Sequence, residues 1–248
     1  KWEQLASDQV GRCRVMIIQS VFERKEVKYI ITKAQRDAML DAMQGLMEPD
    51  QFGLTTICNI YFDTPSSQLI RESIEKPIYK EKLRLRTYGL PKDNSSAFVE
   101  LKKKFEGIVY KRREQLPYST AWDFLVERKR PENMTQILSE IDWTLDFYPG
   151  LAPAMALFYD RIAYCGCEDK ELRMTVDTNL RARTTELDLR NGSVGNSFFD
   201  NDKCIVEIKI LDAMPLWMAE ILDRCEIYPG SYSKYGTAYT KKLINGGI

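Results

Sequence analysis

The sequence predicts an α+β fold, an eight-stranded antiparallel β-barrel with a charged interior, flanked by helices. Three observations lead to it. In Lys80-Glu81-Lys82-Leu83-Arg84-Leu85-Arg86, strand alternation sends Lys82, Arg84 and Arg86 to one face and Leu83 and Leu85 to the other. The pattern recurs in Arg24-Lys25-Glu26-Val27-Lys28, Glu100-Leu101-Lys102-Lys103-Lys104 and Glu207-Ile208-Lys209-Ile210. Stretches with helical periodicity interrupt these strands, so the apolar outer faces have covers.

Taken in order, the first strand is expected over 18–31. Thr32 and Gln35 then form a capping box that opens a helix over 33–47. Strands follow at 56–63 and 78–88. Those at 97–105 and 108–116 are separated only by Glu106-Gly107, a hairpin connection. Helices at 119–129 and 133–147 precede strands at 156–166 and 171–183. Asn191-Gly192-Ser193-Val194-Gly195-Asn196 reads as an exposed loop. A strand at 203–211 leads to a helix at 214–225, with Pro215 at its start, and a last helix at 232–245. Residues 16–248 are expected to form one domain, and the polar, patternless residues 1–15 a flexible extension.

The formal net charge is zero, yet Lys76 to Arg113 holds twelve Lys/Arg against four Asp/Glu. A focused basic site in an otherwise acidic chain argues against general adhesion to nucleic acid. No apolar run approaches the roughly 20 residues that a membrane helix needs, so no direct membrane span is expected. The six cysteines are too scattered for a disulfide framework, which points to a reducing, cytoplasmic setting. Cys165-Gly166-Cys167 lacks the further ligands of a zinc site.

The chain has no histidine. That excludes Ser-His-Asp and Cys-His catalysis and every His-ligated metal. P-loop and Rossmann glycine motifs are also missing. A metal would need carboxylates and substrate oxygens, which suits Mn²⁺ or Mg²⁺. Interior carboxylates such as Glu26, Glu100 and Glu207 can pair with some of the cations, and the surplus matches a multiply charged anion. Lys103 and Arg112 fall on the outer face by alternation. Tyr61, Tyr159 and Tyr239 read as packing residues, and the helix carrying Trp217 and Met218 as an amphipathic cover.

Several stretches resemble one family, in family order from Val21 to Thr240. They are Phe22-Glu23-Arg24-Lys25-Glu26-Val27-Lys28-Tyr29, Tyr61-Phe62-Asp63-Thr64, Lys82-Leu83-Arg84-Leu85-Arg86 and Val99-Glu100-Leu101-Lys102. Phe158-Tyr159-Asp160-Arg161, Leu172-Arg173-Met174-Thr175-Val176-Asp177-Thr178, Val206-Glu207-Ile208-Lys209 and Ser233-Lys234-Tyr235-Gly236 continue the series. The chain thereby resembles the catalytic domain of the VTC (vacuolar transporter chaperone) polyphosphate polymerases, within the triphosphate tunnel metalloenzyme superfamily.

The resemblance implies an eight-stranded antiparallel tunnel, a divalent metal and a nucleoside triphosphate substrate. Lys28, Arg84, Arg86, Lys102, Lys111, Arg161, Arg173 and Lys209 would bind phosphate. Ser233 and Lys234 would do so from a segment that closes one tunnel mouth. Of these, Arg84, Arg86, Arg161 and Lys209 would carry catalysis, and Glu207, with Glu26 as the second candidate, would hold the metal. The superfamily opens with Glu-x-Glu-x-Lys; here Arg24 replaces the first glutamate, which points away from the hydrolase and cyclase branches. The expected partners are ATP and inorganic polyphosphate, and any coupling to membrane transport would need a membrane partner protein. The expected activity is transfer of the ATP γ-phosphate to a polyphosphate chain with release of ADP. A hydrolase of the same fold and a non-catalytic polyphosphate binder are the alternatives.

Overall fold

The computed structural model describes residues 25–75, 77–106, 108–211 and 213–245. The expected extension 1–15, Arg24 and the predicted start of the first strand lie outside them. One antiparallel sheet dominates, with strands β1 (Lys25–Thr32), β2 (Met47–Pro49), β3 (Thr55–Asp63), β4 (Tyr79–Tyr88) and β5 (Ser96–Phe105). β6 (Ile108–Pro117), β7 (Ala152–Gly166), β8 (Arg173–Arg183), β9 (Asn196–Ser197) and β10 (Lys203–Ile210) complete it. Its spatial order is β1-β10-β8-β7-β3-β4-β5-β6, with β2 added beside β7 and β9 beside β8.

Six helices accompany the sheet: α1 (Lys33–Ala42), α2 (Gln68–Glu75), α3 (Tyr118–Leu125), α4 (Gln136–Phe147), α5 (Leu216–Arg224) and α6 (Lys234–Asn245). The Thr32–Gln35 capping box opens α1 as expected: Gln35 N donates to Thr32 Oγ1 at 3.1 Å, and Thr32 N donates to Gln35 Oε1 at 3.0 Å. The helix stops at Ala42 rather than 47, because Gly45 takes φ 78° in the turn that follows. Met47 then begins β2 instead of ending a helix.

Alternation builds two outer apolar layers. Leu83, Leu85, Val99, Leu101, Ile60 and Phe62 pack under Phe124 of α3 and Ile141 of α4. Tyr29, Ile31, Val206, Ile208 and Met174 pack under Met39 of α1 and Met218, Ile221 and Leu222 of α5. Each fully buried side chain of this kind contributes about 1.5–3 kcal/mol. A third cluster lies on the inner face, where Ile57, Tyr61, Met155, Leu157 and Ile205 meet Tyr235 and Ala238 of α6. The last helix therefore packs inside the curl of the sheet, not outside it.

The expectation of a closed barrel needs correction. Among the described residues no pairing joins β1 to β6, so the described sheet is open between these two strands. It is nonetheless strongly curled: five strands lie between β1 and β5 in the order, yet Glu26 and Lys28 act electrostatically on Lys102. Two further expectations change. Asn191–Asn196 is not all loop, since one 3₁₀ turn (Leu189–Asn191) ends there and Asn196 begins β9. Helix α2 was not expected from the sequence. The two-residue β5–β6 connection is as predicted, with Phe105 opposite Ile108; its Gly107 lies outside the described residues.

Candidate functional site

The inner faces of β4, β5 and β6 form successive rows across the sheet. Lys82, Lys102 and Lys111 stand opposite one another, and Arg84, Glu100 and Arg113 form the next row. Like charges placed directly opposite destabilise a sheet, so the lysine row is a feature that a polyanion would relieve. Glu100 is the hub of its row. Its side chain is 1% exposed and faces Arg84 Nε at 2.5 Å, Lys111 Nζ at 2.9 Å and Arg113 Nε at 3.1 Å. Burial alone would raise the Glu100 pKa, but Arg84, Arg86 and Lys111 outweigh it and hold the carboxyl at about 2.

The predicted pair Arg84 and Arg86 is held in fixed orientations. Arg84 Nη1 donates to Tyr61 Oη at 3.3 Å. Arg86 Nε donates to Asn59 Oδ1 at 2.8 Å, and its Nη2 to Tyr159 Oη at 3.1 Å. Burial opposes ionisation of Tyr61, yet Arg84, Arg86 and Lys82 pull its phenol below the usual value.

A second cluster gathers across β1, β10, β8, β7 and α6. Arg161 binds Asp177 through Nε at 2.5 Å and Nη2 at 2.7 Å, and lies 3.7 Å from Glu207. Lys234 reaches Asp177 at 2.6 Å and Glu207 at 3.0 Å. Lys28 lies 3.8 Å from Glu207 and 3.5 Å from Glu26. Burial works against charge on Glu207, but Lys234, Lys28 and Arg161 hold its carboxyl well below the ordinary range. Lys234 in turn is kept protonated against burial by Asp177 and Glu207.

Lys102, Arg173 and Lys209 lie on the same inner face and form no ion pair with any described residue. Lys82 Nζ donates to Ser233 Oγ at 3.2 Å, which brings the predicted Ser233 to the site. Burial, with Lys80, Lys102 and Lys28 nearby, lowers the Lys82 amine to about 8. Lys103 and Arg112 face outward, onto Glu81 and Glu140, as alternation requires.

Sequence reasoning gave no site role to Asp177, Asn59, Tyr159 or Arg113. Asp177 carried a signal: it shares the parity of Arg173 and Thr175, opposite the apolar face of Met174 and Val176, and a buried carboxylate needs a cation. Among the described residues no three His, Cys, Asp or Glu side chains converge on one point. Glu26 and Glu207 do share a single cation, the Lys28 ammonium. Both are hard oxygen donors, the ligand type that a divalent ion completed by phosphate oxygens would require.

A family model described as VTC domain matches residues 23–242. No curated protein matches the chain. Among solved structures, a Bacillus halodurans protein proposed to be an adenylate cyclase has TM-score 0.53 and 14% identity, covering 85% of this chain and 95% of its own. This likeness shows a shared fold. A Vibrio parahaemolyticus protein with the same proposed activity has TM-score 0.46 and 13% identity, over 87% and 97% of the two chains.

Proposed function

The chain belongs to the VTC domain family, and from that premise we propose that it is a polyphosphate polymerase: it transfers the γ-phosphate of ATP to the end of a polyphosphate chain and releases ADP. Family membership supports a function tied to triphosphate or polyphosphate. The observation that carries the finer reading is the excess of inner-face cations over Glu26, Glu100, Asp177 and Glu207, with Lys102, Arg173 and Lys209 in no ion pair among the described residues.

Phosphoryl transfer asks the protein for in-line positioning and for positive charge around the equatorial oxygens. Arg84 and Arg86, oriented by Glu100, Asn59 and Tyr159, offer rigid guanidinium forks to those oxygens. Arg161, held by Asp177, presents a third fork, and Lys209 a mobile point charge. Lys28, Lys102, Lys111, Arg173, Ser233 and Lys234 would hold the rest of the phosphate chain. The attacking group is a terminal phosphate, already ionised at neutral pH, so no histidine base is needed.

With substrate bound, Glu207 and Glu26 would hold a Mn²⁺ or Mg²⁺ ion together with phosphate oxygens, and the ion would supply charge neutralisation. Among the described residues no helix is long and apolar enough to cross a membrane. The reading places the reaction in the cytoplasm and assigns any export of product to a membrane partner.

The test is incubation with ATP and Mn²⁺, for the wild type and Glu207→Gln. The wild type should yield long-chain polyphosphate and ADP, and Glu207→Gln should lose most turnover. Orthophosphate alone would mean a hydrolase, and tight polyphosphate binding without turnover a binder.

A further inference from the structure

We infer that Tyr88, Phe98 and Arg113 form a stacking platform for the nucleobase of a nucleoside triphosphate whose phosphates lie along the inner face; this rests on the phosphate-transfer reading above. The platform continues the rows already described. Phe98 stands directly opposite Arg86, and Arg113 directly opposite Glu100. Tyr88 follows Arg86 by two residues in β4, so it shares that face and lies about 6.6 Å further along. That spacing suits a ribose between a stacked base and a gripped phosphate.

The three groups hold one another. The Tyr88 and Phe98 rings meet edge to face at 5.6 Å and 85°. The Arg113 guanidinium covers the Phe98 ring at 3.8 Å, and its Nη2 donates to Tyr88 Oη at 3.1 Å. Arg113 is also 3.1 Å from Glu100, so the aromatic group is tied to the hub of the phosphate-gripping row.

Tyr88 keeps a free ring surface, with the residue 52% exposed. The other inner-face tyrosines offer none: Tyr61 is stacked on Tyr235 at 4.3 Å, and Tyr159 is 3% exposed beneath Arg86. Along β4, Tyr88 lies four residues beyond Arg84, whose β3 partner Tyr61 is the ring stacked on Tyr235 of α6. A π-face beside a guanidinium stacks on any base. The platform should accept adenine and guanine alike.

Calorimetric binding of ATP and of inorganic tripolyphosphate to the wild type, Tyr88→Leu and Tyr88→Phe tests this. Tyr88→Leu should weaken ATP by about 5- to 150-fold, the range for one lost stacking ring. Tripolyphosphate should stay within about twofold on the same scale, and Tyr88→Phe should keep most ATP affinity. Unchanged ATP affinity in Tyr88→Leu, or equal loss of both ligands, would overturn the platform alone. A wild type that binds neither ligand would overturn the phosphate reading as well.

Discussion

The Lys234 ammonium, on the first residue of α6, lies 2.6 Å from the carboxylate of Asp177 in β8, whose side chain has no exposed surface. One ion pair thus joins the inner helix to the sheet and orients Arg161, which shares the same carboxylate. Removing one partner of a buried pair leaves an uncompensated charge. Lys234→Met should destabilise the fold by about 3 kcal/mol, read by urea unfolding. Asp177→Asn should release both Lys234 and Arg161, and it should cost at least as much.

Glu100 should make stability acid-sensitive. Its pKa is depressed to about 2 from 4.5, so its contribution is full above pH 4.5 and is lost as pH falls towards 2. The shift corresponds to about 3 kcal/mol at neutral pH. Glu207, depressed in the same direction by Lys234, Lys28 and Arg161, adds to the loss. Unfolding free energies measured at pH 7, 4 and 3 should fall steeply below pH 4.5, and Glu100→Gln should flatten that profile.

Lys82 should couple phosphate binding to protons. Its amine titrates near 8 because of burial and its lysine neighbours, and a bound polyanion would restore the proton. At pH 8 tripolyphosphate binding should take up about half a proton from this group, measured by calorimetry in buffers of different ionisation heat. Affinity should fall as pH rises from 7 to 9. Lys82→Met should remove most of both effects.

The strands from Tyr79 to Pro117 were legible to within one residue, because charged Lys82, Arg84 and Arg86 alternate with Leu83 and Leu85 in β4, Glu100 and Lys102 with Val99 and Leu101 in β5, and Glu106-Gly107 marks the turn into β6. Helix α2 was not legible. It has eight residues, and its first turn is satisfied from outside, by Asp63 accepting from Leu69 N and Ile70 N at 2.9 and 3.0 Å. Edge pairing is equally invisible, since nothing local in β1 or β6 records whether the two meet. The residues of the site were read from strand parity and the resemblance together. The role of Asp177 depends on α6 entering the curl, a contact between segments far apart in the chain.

Arg86 should tolerate no substitution by lysine. Its guanidinium is fixed at two separate atoms, Asn59 Oδ1 and Tyr159 Oη, which one ammonium cannot satisfy in the same geometry. Arg86→Lys should lower phosphate-transfer turnover by about 100-fold while leaving tripolyphosphate-induced thermal stabilisation largely in place. Steady-state kinetics with a thermal melt of the same sample checks both.

The central claim is transfer to a phosphate chain rather than to water. The most direct measurement follows the label from ATP carrying ³²P at the γ position, in the presence of Mn²⁺, by gel separation of chain lengths alongside ADP release. The account predicts label in chains that lengthen with time, with one ADP formed for each phosphate incorporated. Label recovered only as orthophosphate, with no chain formed, would contradict it.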